Sequence, residues 1–279
     1  MIEKKENEYI VPALERGLRI LGEFNANTQT LNPTEVAKRL AIPRSSAFRM
    51  MQTLETLGYL TRAEDDSDYR LGVAVLRLGY EYIASLELVE LGRPIINALR
   101  DLTGCSAHIT VRDARDVVFV AKAASSGAIF TSIRIGTRLP AHATVLGRLL
   151  LSGLSDKELE ALYPEEKLEV FSEQTPRTLI ELKALLEIDR KRGYAISQSF
   201  FERGLSVVGA PVHDHHGSIA AVISIAIHSG AIDPAQQDNF CQEVLAAARN
   251  LSGILKYQLE MPKVAELRHS GPLEDGAAR

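Results

Sequence analysis

The sequence predicts an α+β protein in two parts. The first is a small helical bundle closed by a β-hairpin, a winged helix-turn-helix. The second is a larger unit built on an antiparallel sheet. Three observations lead there. Helical periodicities of apolar residues crowd the first 60 positions, separated by short breaks. From position 107 onward, short β-branched runs appear in two groups with helical stretches between them. The length of 279 residues corresponds to about two domains. Hydrophobic residues at 46% and charged residues at 24% exclude wholesale disorder. The two cysteines, Cys105 and Cys241, exclude a disulfide framework or a Cys-rich zinc site and read as reduced thiols. No apolar run approaches the ~20 residues of a membrane span. The opening MIEKKENEYI is charged and lacks the apolar core of a signal peptide. A cytoplasmic location is therefore expected.

Leu14, Leu18 and Leu21, extended by Phe24, recur at helical spacing and predict a helix over Ala13–Phe24 with this stripe buried. After a polar loop, Pro33 suits a first helical position, and Val36, Ala37 and Leu40 mark a short second helix. Ala41-Ile42-Pro43 breaks it. Ser45 or Ser46 is expected to cap a third helix reaching Leu57, ended by Gly58. Its buried stripe would be Ala47, Met50, Met51, Leu54 and Leu57. Its opposite face would carry Arg44, Ser45, Phe48, Arg49, Gln52 and Thr53, and Arg44, Ser45, Ser46 and Arg49 are the expected readers of bases or phosphates. Tyr59–Arg62, an acidic turn over Ala63–Asp68, and Tyr69–Leu71 read as a hairpin wing with Arg62 and Arg70 at its flanks.

Two short helices joined by about three residues form a helix-turn-helix, whose second helix lies in the DNA major groove. The net charge of the chain, −4, advertises no nucleic acid. Its distribution does. From Val36 to Arg62 there are five bases, Lys38, Arg39, Arg44, Arg49 and Arg62, against the single acid Glu55, a surplus of four. A basic patch on an acidic body binds phosphate at one face only. Arginine offers a bidentate contact to guanine, and serine serves a base or a phosphate. A solvated helix face is the bland alternative to each of these readings.

The segments PALERGLRIL, Pro43-Arg44-Ser45-Ser46-Ala47-Phe48-Arg49, TLETLGYL and YRLG resemble the DNA-binding domain of the isocitrate-lyase-regulator (IclR) family of bacterial transcription factors. The likeness continues through RIGTRLPAHATVLGRLLL, RKRGYAIS, GLSVVGAPVHD and IAAVISIAI, and so spans Tyr9 to Tyr257. It implies a winged helix-turn-helix, residues 1–72, joined by a linker and dimerisation helix, 73–87, to a GAF-like effector-sensing domain, 88–260. The polar end, 261–279, reads as a disordered tail. The resemblance also implies homodimers and dimers of dimers on operator DNA, with no membrane partner and no cofactor.

In the middle, Val73–Leu86 carries apolar residues on more than one side, as a helix between two partners would. A second helix is expected after Pro94, from Ile95, Ile96, Leu99 and Leu102, ended by Gly104. Strands are expected at Ala107–Val111, Val117–Ala121, Ile129–Ile135, Ala195–Gln198, Val207–Val212 and Ile219–Ile227, the last two around an Asp214–Gly217 turn. Helices are expected at Thr144–Leu151, Ser155–Leu162, Leu179–Arg192 and Pro234–Gln258. The sheet would be covered on one side.

For a small molecule, Pro140–Gly147 is the local candidate, because it opens a helix whose free N–H groups suit a carboxylate. The resemblance implies that Val145 and Leu146 hold an effector acid, with Ser197, Leu205, Val207, Ser224 and Ala226 completing the site. Better-known members that take small, very polar acids carry Asp, Cys and Ser where this chain has Ser197, Val207 and Ala226. That implies a carboxylate with a sizeable apolar part. His213, His215 and His216 cluster, but a D-x-x-G turn explains them without metal. His108 reads as a satisfied histidine, and His142 as structural or part of the pocket wall. No G-x-S-x-G, Walker A, G-x-G-x-x-G or H-E-x-x-H run is present, so no catalytic residue is assigned. The expectation is a ligand-responsive repressor of catabolic genes. The alternative is a small-molecule-binding module or enzyme in which the winged bundle serves only for association.

Overall fold

The computed structural model describes residues 9–25, 27–63, 67–85, 87–125, 133–198, 204–229 and 231–260. The chain divides between Ser85 and Leu86 into two units. The first holds α1 (Pro12–Gly22), α2 (Pro33–Arg39), α3 (Arg44–Thr56), the hairpin of β1 (Leu60–Arg62) and β2 (Tyr69–Leu71), and α4 (Ala74–Ser85).

The helix-turn-helix is set by local chemistry. Asn32 caps α2, accepting from the N–H groups of Thr34 and Glu35, while the Glu35 carboxylate returns to the Asn32 N–H at 3.1 Å. This capping box, with Pro33 behind it, fixes the start. In the turn, Ala41 adopts φ 53°, a left-handed conformation that costs a non-glycine residue about a kcal/mol or more. α3 starts earlier than expected. Its N-cap is Pro43, whose carbonyl accepts from Ser46 and Ala47 at 3.0 Å each; Ser45 and Ser46 lie inside the first turn and cap nothing. Gly58, at φ 80°, supplies the left-handed residue just past the C-cap.

The core of this unit gathers Ile20, Phe24, Leu31, Val36, Ala47, Met51, Leu60 and Tyr69. Two expected stripes are corrected here. On α1 the buried residue is Ile20, with Leu21 partly buried and Phe24 buried just past the helix end, whereas Leu14 and Leu18 are 62% and 60% exposed. On α3, Leu57 is 60% exposed. Periodicity identified the helices but misjudged which edge faces the core.

The second unit is built on six antiparallel strands in the order β5-β4-β3-β8-β7-β6: β3 (Ser106–Asp113), β4 (Asp116–Ala123), β5 (Arg138–Pro140), β6 (Ala195–Gln198), β7 (Ser206–His213) and β8 (Ile219–Ile227). The expected strand Ile129–Ile135 falls largely outside the described residues, and Ile133–Ile135 form loop and turn; the sequence reading missed the short β5. Around the sheet lie α5 (Glu87–Thr103), α6 (Val145–Leu151), α7 (Asp156–Leu162), α8 (Leu179–Arg192) and α9 (Pro234–Glu260).

Helices cover both faces of the sheet, which corrects the one-sided expectation. A Cβ on Gly92 of α5 would meet Ile109 of β3 and Leu251 of α9, so Ile109 and its ladder partner Ile223 face α5 and α9. Val222, one residue along β8, packs with Leu146 and Leu149 of α6 on the opposite face. The physical reason is visible in IAAVISIAI, which is apolar at odd and even positions alike and therefore needs cover on both sides. α5 begins at Glu87 and runs through Pro94, against the expectation that it starts after the proline. Its buried stripe Val89, Gly92, Ile96, Leu99 continues past the proline at helical spacing, and that packing outweighs the one lost hydrogen bond. The expected tail 261–279 lies outside the described residues.

Candidate nucleic-acid interface and ligand cavity

On α3, Arg44, Ser45, Phe48, Arg49 and Gln52 are all exposed and Ser46 is half-buried. The hydroxyls of Thr53 and Thr56 are turned back onto the carbonyls of Arg49 and Gln52 at 2.9 Å each. Arginine and glutamine heads are thereby left as the outward polar groups. Of the five basic residues, Arg39 pairs with Glu23 at 3.5 Å and Arg62 with Glu55 at 3.0 Å. Arg62 also lies over the Tyr69 ring, 4.2 Å from its centroid. Lys38, Arg44 and Arg49 carry no ion pair among the described residues. Two of these three, Arg44 and Arg49, stand on the exposed face of α3, and Lys38 stands on α2. Arg70 is exposed on β2, its Nε donating to the Thr61 hydroxyl at 3.3 Å. Arg62 is half-buried and committed to the hinge between α3 and the wing.

In the second unit, a cavity of about 340 Å³ lies between the sheet and the start of α6. Its wall includes Val145, Leu146, Ser197, Leu205, Val207, Ser224 and Ala226, all seven positions that the sequence named. It also includes Thr144, inside the candidate segment Pro140–Gly147, and His108, Phe119, Ile133, Thr137 and Leu139, which the sequence reading missed. Ladder register places two of them. His108 is the β3 ladder partner of Ser224, so the two share a face; Phe119 follows on β4.

The Thr144 hydroxyl caps α6 by accepting from the Gly147 N–H at 3.1 Å. That leaves the N–H groups of Val145 and Leu146, which have no intrahelical acceptor and belong to cavity-lining residues. The helix is held in place from behind. Arg148 Nε donates to Asp189 of α8 at 2.8 Å, with both side chains under 10% exposed, and Arg190 donates twice to the Ser152 carbonyl at 3.1 and 2.8 Å. His142 is outside the cavity wall; its Nε2 lies 2.9 Å from the Glu169 carbonyl, and its ring packs against Tyr163. His108 corrects the expectation of a satisfied histidine, because its Nε2 is buried with no hydrogen-bond partner. Among the described residues no cluster of His, Cys, Asp or Glu could hold a metal ion, and no helix is long and apolar enough to cross a membrane.

Burial, reinforced by the nearby charges of Lys122 and His228, pushes the His108 imidazole down to about 4. Its folded value lies below the unfolded one of ~6.5, so protons bind the unfolded chain more readily. The contribution is complete above about pH 6.5 and is lost as the pH falls towards 4. Urea unfolding should therefore show the wild type losing about 2 kcal/mol more than His108→Phe between pH 7 and pH 4.5. Equal losses in the two proteins would contradict the assignment.

The IclR helix-turn-helix domain model matches residues 13–64, and the model of the bacterial transcriptional regulator IclR C-terminal matches residues 80–253. The chain belongs to the IclR family. This IclR protein is 30% identical over 251 residues to the HTH-type transcriptional regulator XynR of Escherichia coli (strain K12), covering 89% of this chain and 98% of that one. It is 27% identical to the HTH-type transcriptional repressor AllR of Salmonella typhimurium, over 83% of this chain and 84% of that one. The crystal structure of a putative transcriptional regulator, RHA06195 from Rhodococcus sp. RHA1, superposes with a TM-score of 0.76 at 30% identity, covering 89% of this chain and all of that one. The protein is a DNA-binding transcriptional regulator and not an enzyme.

Proposed function

We propose that this IclR regulator is a repressor of catabolic genes that acts in the cytoplasm and responds to a small organic acid with a sizeable apolar part. Residues 1–72 bind the operator, 73–87 link and dimerise, and 88–260 sense the effector. Arg44, Ser45, Ser46, Phe48, Arg49 and Gln52 face the major groove, and Arg70 meets the backbone beside it. Arg62 steadies the wing through Glu55 and reaches phosphate only at its margin. The observation that carries the sensing role is the cavity, whose wall is mostly aliphatic and aromatic, with the two free N–H groups of α6 at its edge. An acid with an apolar body satisfies both; a small, very polar acid would leave its other groups unpaired in a dry site.

Association as a homodimer, or as a dimer of dimers, is supported by the apolar surface of the first unit. Val73, just before α4, and Leu76, Tyr80 and Tyr82 along it are 56–80% exposed, and Leu14 and Leu18 of α1 are equally open. Paired recognition helices then meet half-sites one or more DNA turns apart. The effector shifts this arrangement only by as much as it prefers one conformation over the other.

A gel shift with DNA from upstream of the protein's own gene tests the reading. A specific complex should form, weaken steeply between 50 and 200 mM salt as counterions are released, and dissociate on addition of an apolar carboxylic acid. A complex indifferent to salt, or to every acid tried, contradicts it.

A further inference from the structure

A second cavity of about 650 Å³ lies in the second unit, where the ends of α6 and α8 meet the β7–β8 turn and the later part of α9. Among the described residues, none belongs to both this wall and that of the cavity beside the start of α6. Four cationic side chains line it, Arg190, Arg192, Arg249 and Lys256, against the carboxylate of Asp189. In a chain of net charge −4 that is a local reversal of sign. Asp189 does not neutralise it, being buried and bound to Arg148 at 2.8 Å. Arg190 is committed as well, to Glu187 at 2.6 Å and to the Ser152 carbonyl. Arg192, Arg249 and Lys256 carry no ion pair among the described residues. Arg192 lies only over the Tyr194 ring, 5.6 Å from its centroid.

The fold keeps the space between these three cations open. Arg249 and Lys256 are seven residues apart on α9, two turns along one face and about 10 Å along the axis. Ser252 and Gly253 stand between them in the wall. The Ser252 hydroxyl donates to the Ala248 carbonyl at 2.7 Å and accepts from the His213 N–H at 2.9 Å, which ties α9 to β7. A Cβ added at Gly193, Gly217 or Gly253 would meet nothing within 4 Å. Arg192 enters from another element, as the last residue of α8.

Cations gathered without counter-charges repel one another, and an anion bound among them relieves that repulsion. A guanidinium takes carboxylate or phosphate oxygens bidentately, and a lysine adds a point charge. Cations based about two helical turns apart are matched by an anion whose charged groups are themselves separated. A recess of this size, with Pro211, Ile219 and Leu245 also in its wall, suits an organic body better than a bare ion.

We propose that this cavity is a second ligand site, which binds a small organic anion with two or more separated carboxylate or phosphate groups through Arg192, Arg249 and Lys256. It is independent of the mostly apolar cavity beside α6 and selects for charge where that one selects for an apolar body.

Calorimetric titration of the full chain with citrate, 3-phosphoglycerate and acetate tests it, at roughly 150 mM salt, where exposed charges more than ~8 Å apart are largely screened. Citrate or 3-phosphoglycerate should bind at least about tenfold more tightly than acetate, and the order of the two separates carboxylate from phosphate recognition. Arg249→Gln combined with Lys256→Gln should weaken the tighter of them at least about tenfold. Both side chains are exposed and unpaired, so the melting temperature should not change. Gly253→Phe, which places a ring in the open space and leaves every charge in place, should weaken binding too. Lys157→Gln combined with Lys191→Gln removes the same charge outside the cavity wall and should leave affinity within about twofold. A wild type that binds neither polyanion better than acetate overturns the proposal. So does affinity retained in the Arg249 and Lys256 double variant. An equal loss in the Lys157 and Lys191 double variant would mean diffuse attraction to the whole surface, and overturns the site.

Discussion

Replacing Arg44 and Arg49 together by alanine should reduce operator affinity by at least about a hundredfold. Each arginine that meets a base edge bidentately is worth roughly 1–3 kcal/mol, and each that meets a phosphate adds a salt-dependent increment. The expectation is specific because of what the two side chains do at home, which is nothing that holds the fold: both are exposed, and neither has an ion pair among the described residues. Thermal stability should accordingly be unchanged. Arg39 is the informative control. It belongs to the same basic segment but is engaged with Glu23 at 3.5 Å. Arg39→Ala should leave operator affinity within a few-fold of the wild type. Arg62→Ala should behave differently again, costing stability as well as affinity, because it abandons Glu55 and the Tyr69 ring. Fluorescence anisotropy on an operator duplex, alongside thermal melts, measures all three variants against the wild type. An unaffected double variant would remove α3 from the DNA interface.

The second large effect is expected at Gly147→Ala, deep in the sensor unit. A Cβ there would fall 2.1 Å from the carbonyl oxygen of Ala141 and 2.3 Å from its Cα. These are backbone atoms of the 3-10 turn over Ala141–Ala143 that leads into α6, so no side chain can swing aside. Either the turn or the helix must move. Both Val145 and Leu146 would move with it, since they are the residues just before Gly147. A cost on the order of 3 kcal/mol follows for overpacking at a backbone contact. Calorimetry should record a drop of roughly 10 °C in the unfolding of this unit, together with loss of effector binding. Gly253→Ala, in the exposed part of α9 with nothing within 4 Å of the added Cβ, is the matched control. It should be neutral or stabilise by up to about 1 kcal/mol, because alanine is the better helix former. Two Gly→Ala changes with opposite signs would separate close approach from helix propensity.

How much of this was legible in the sequence differs from element to element. The helix-turn-helix was, because its signals are local: Pro33 at a first helical position, and the break at Ala41-Ile42-Pro43. Strands such as Ile219–Ile227 were legible as well, being mostly apolar and rich in isoleucine and valine. The start of α3 was misread because a proline carbonyl did the work expected of a serine side chain. α5 was shortened because Pro94 is a breaker by local rule, while the stripe that carries the helix past it is a matter of tertiary packing. β5, only three residues long, has too little periodicity to register. The seven cavity positions came from the family resemblance and not from spacing. What the resemblance did not supply, His108 above all, depends on ladder register between strands more than 100 residues apart. No single-sequence pattern contains that register.

The central claim is that the outward edge of α3 lies in the major groove, and dimethyl sulfate protection of an operator fragment tests it most directly, since the reagent methylates guanine N7 in that groove. Guanines in each half-site should be protected in the wild-type complex, with one position exposed again in Arg49→Ala at concentrations that still saturate the DNA. Guanine N7 reactivity that stays unchanged across a fully occupied site would contradict it.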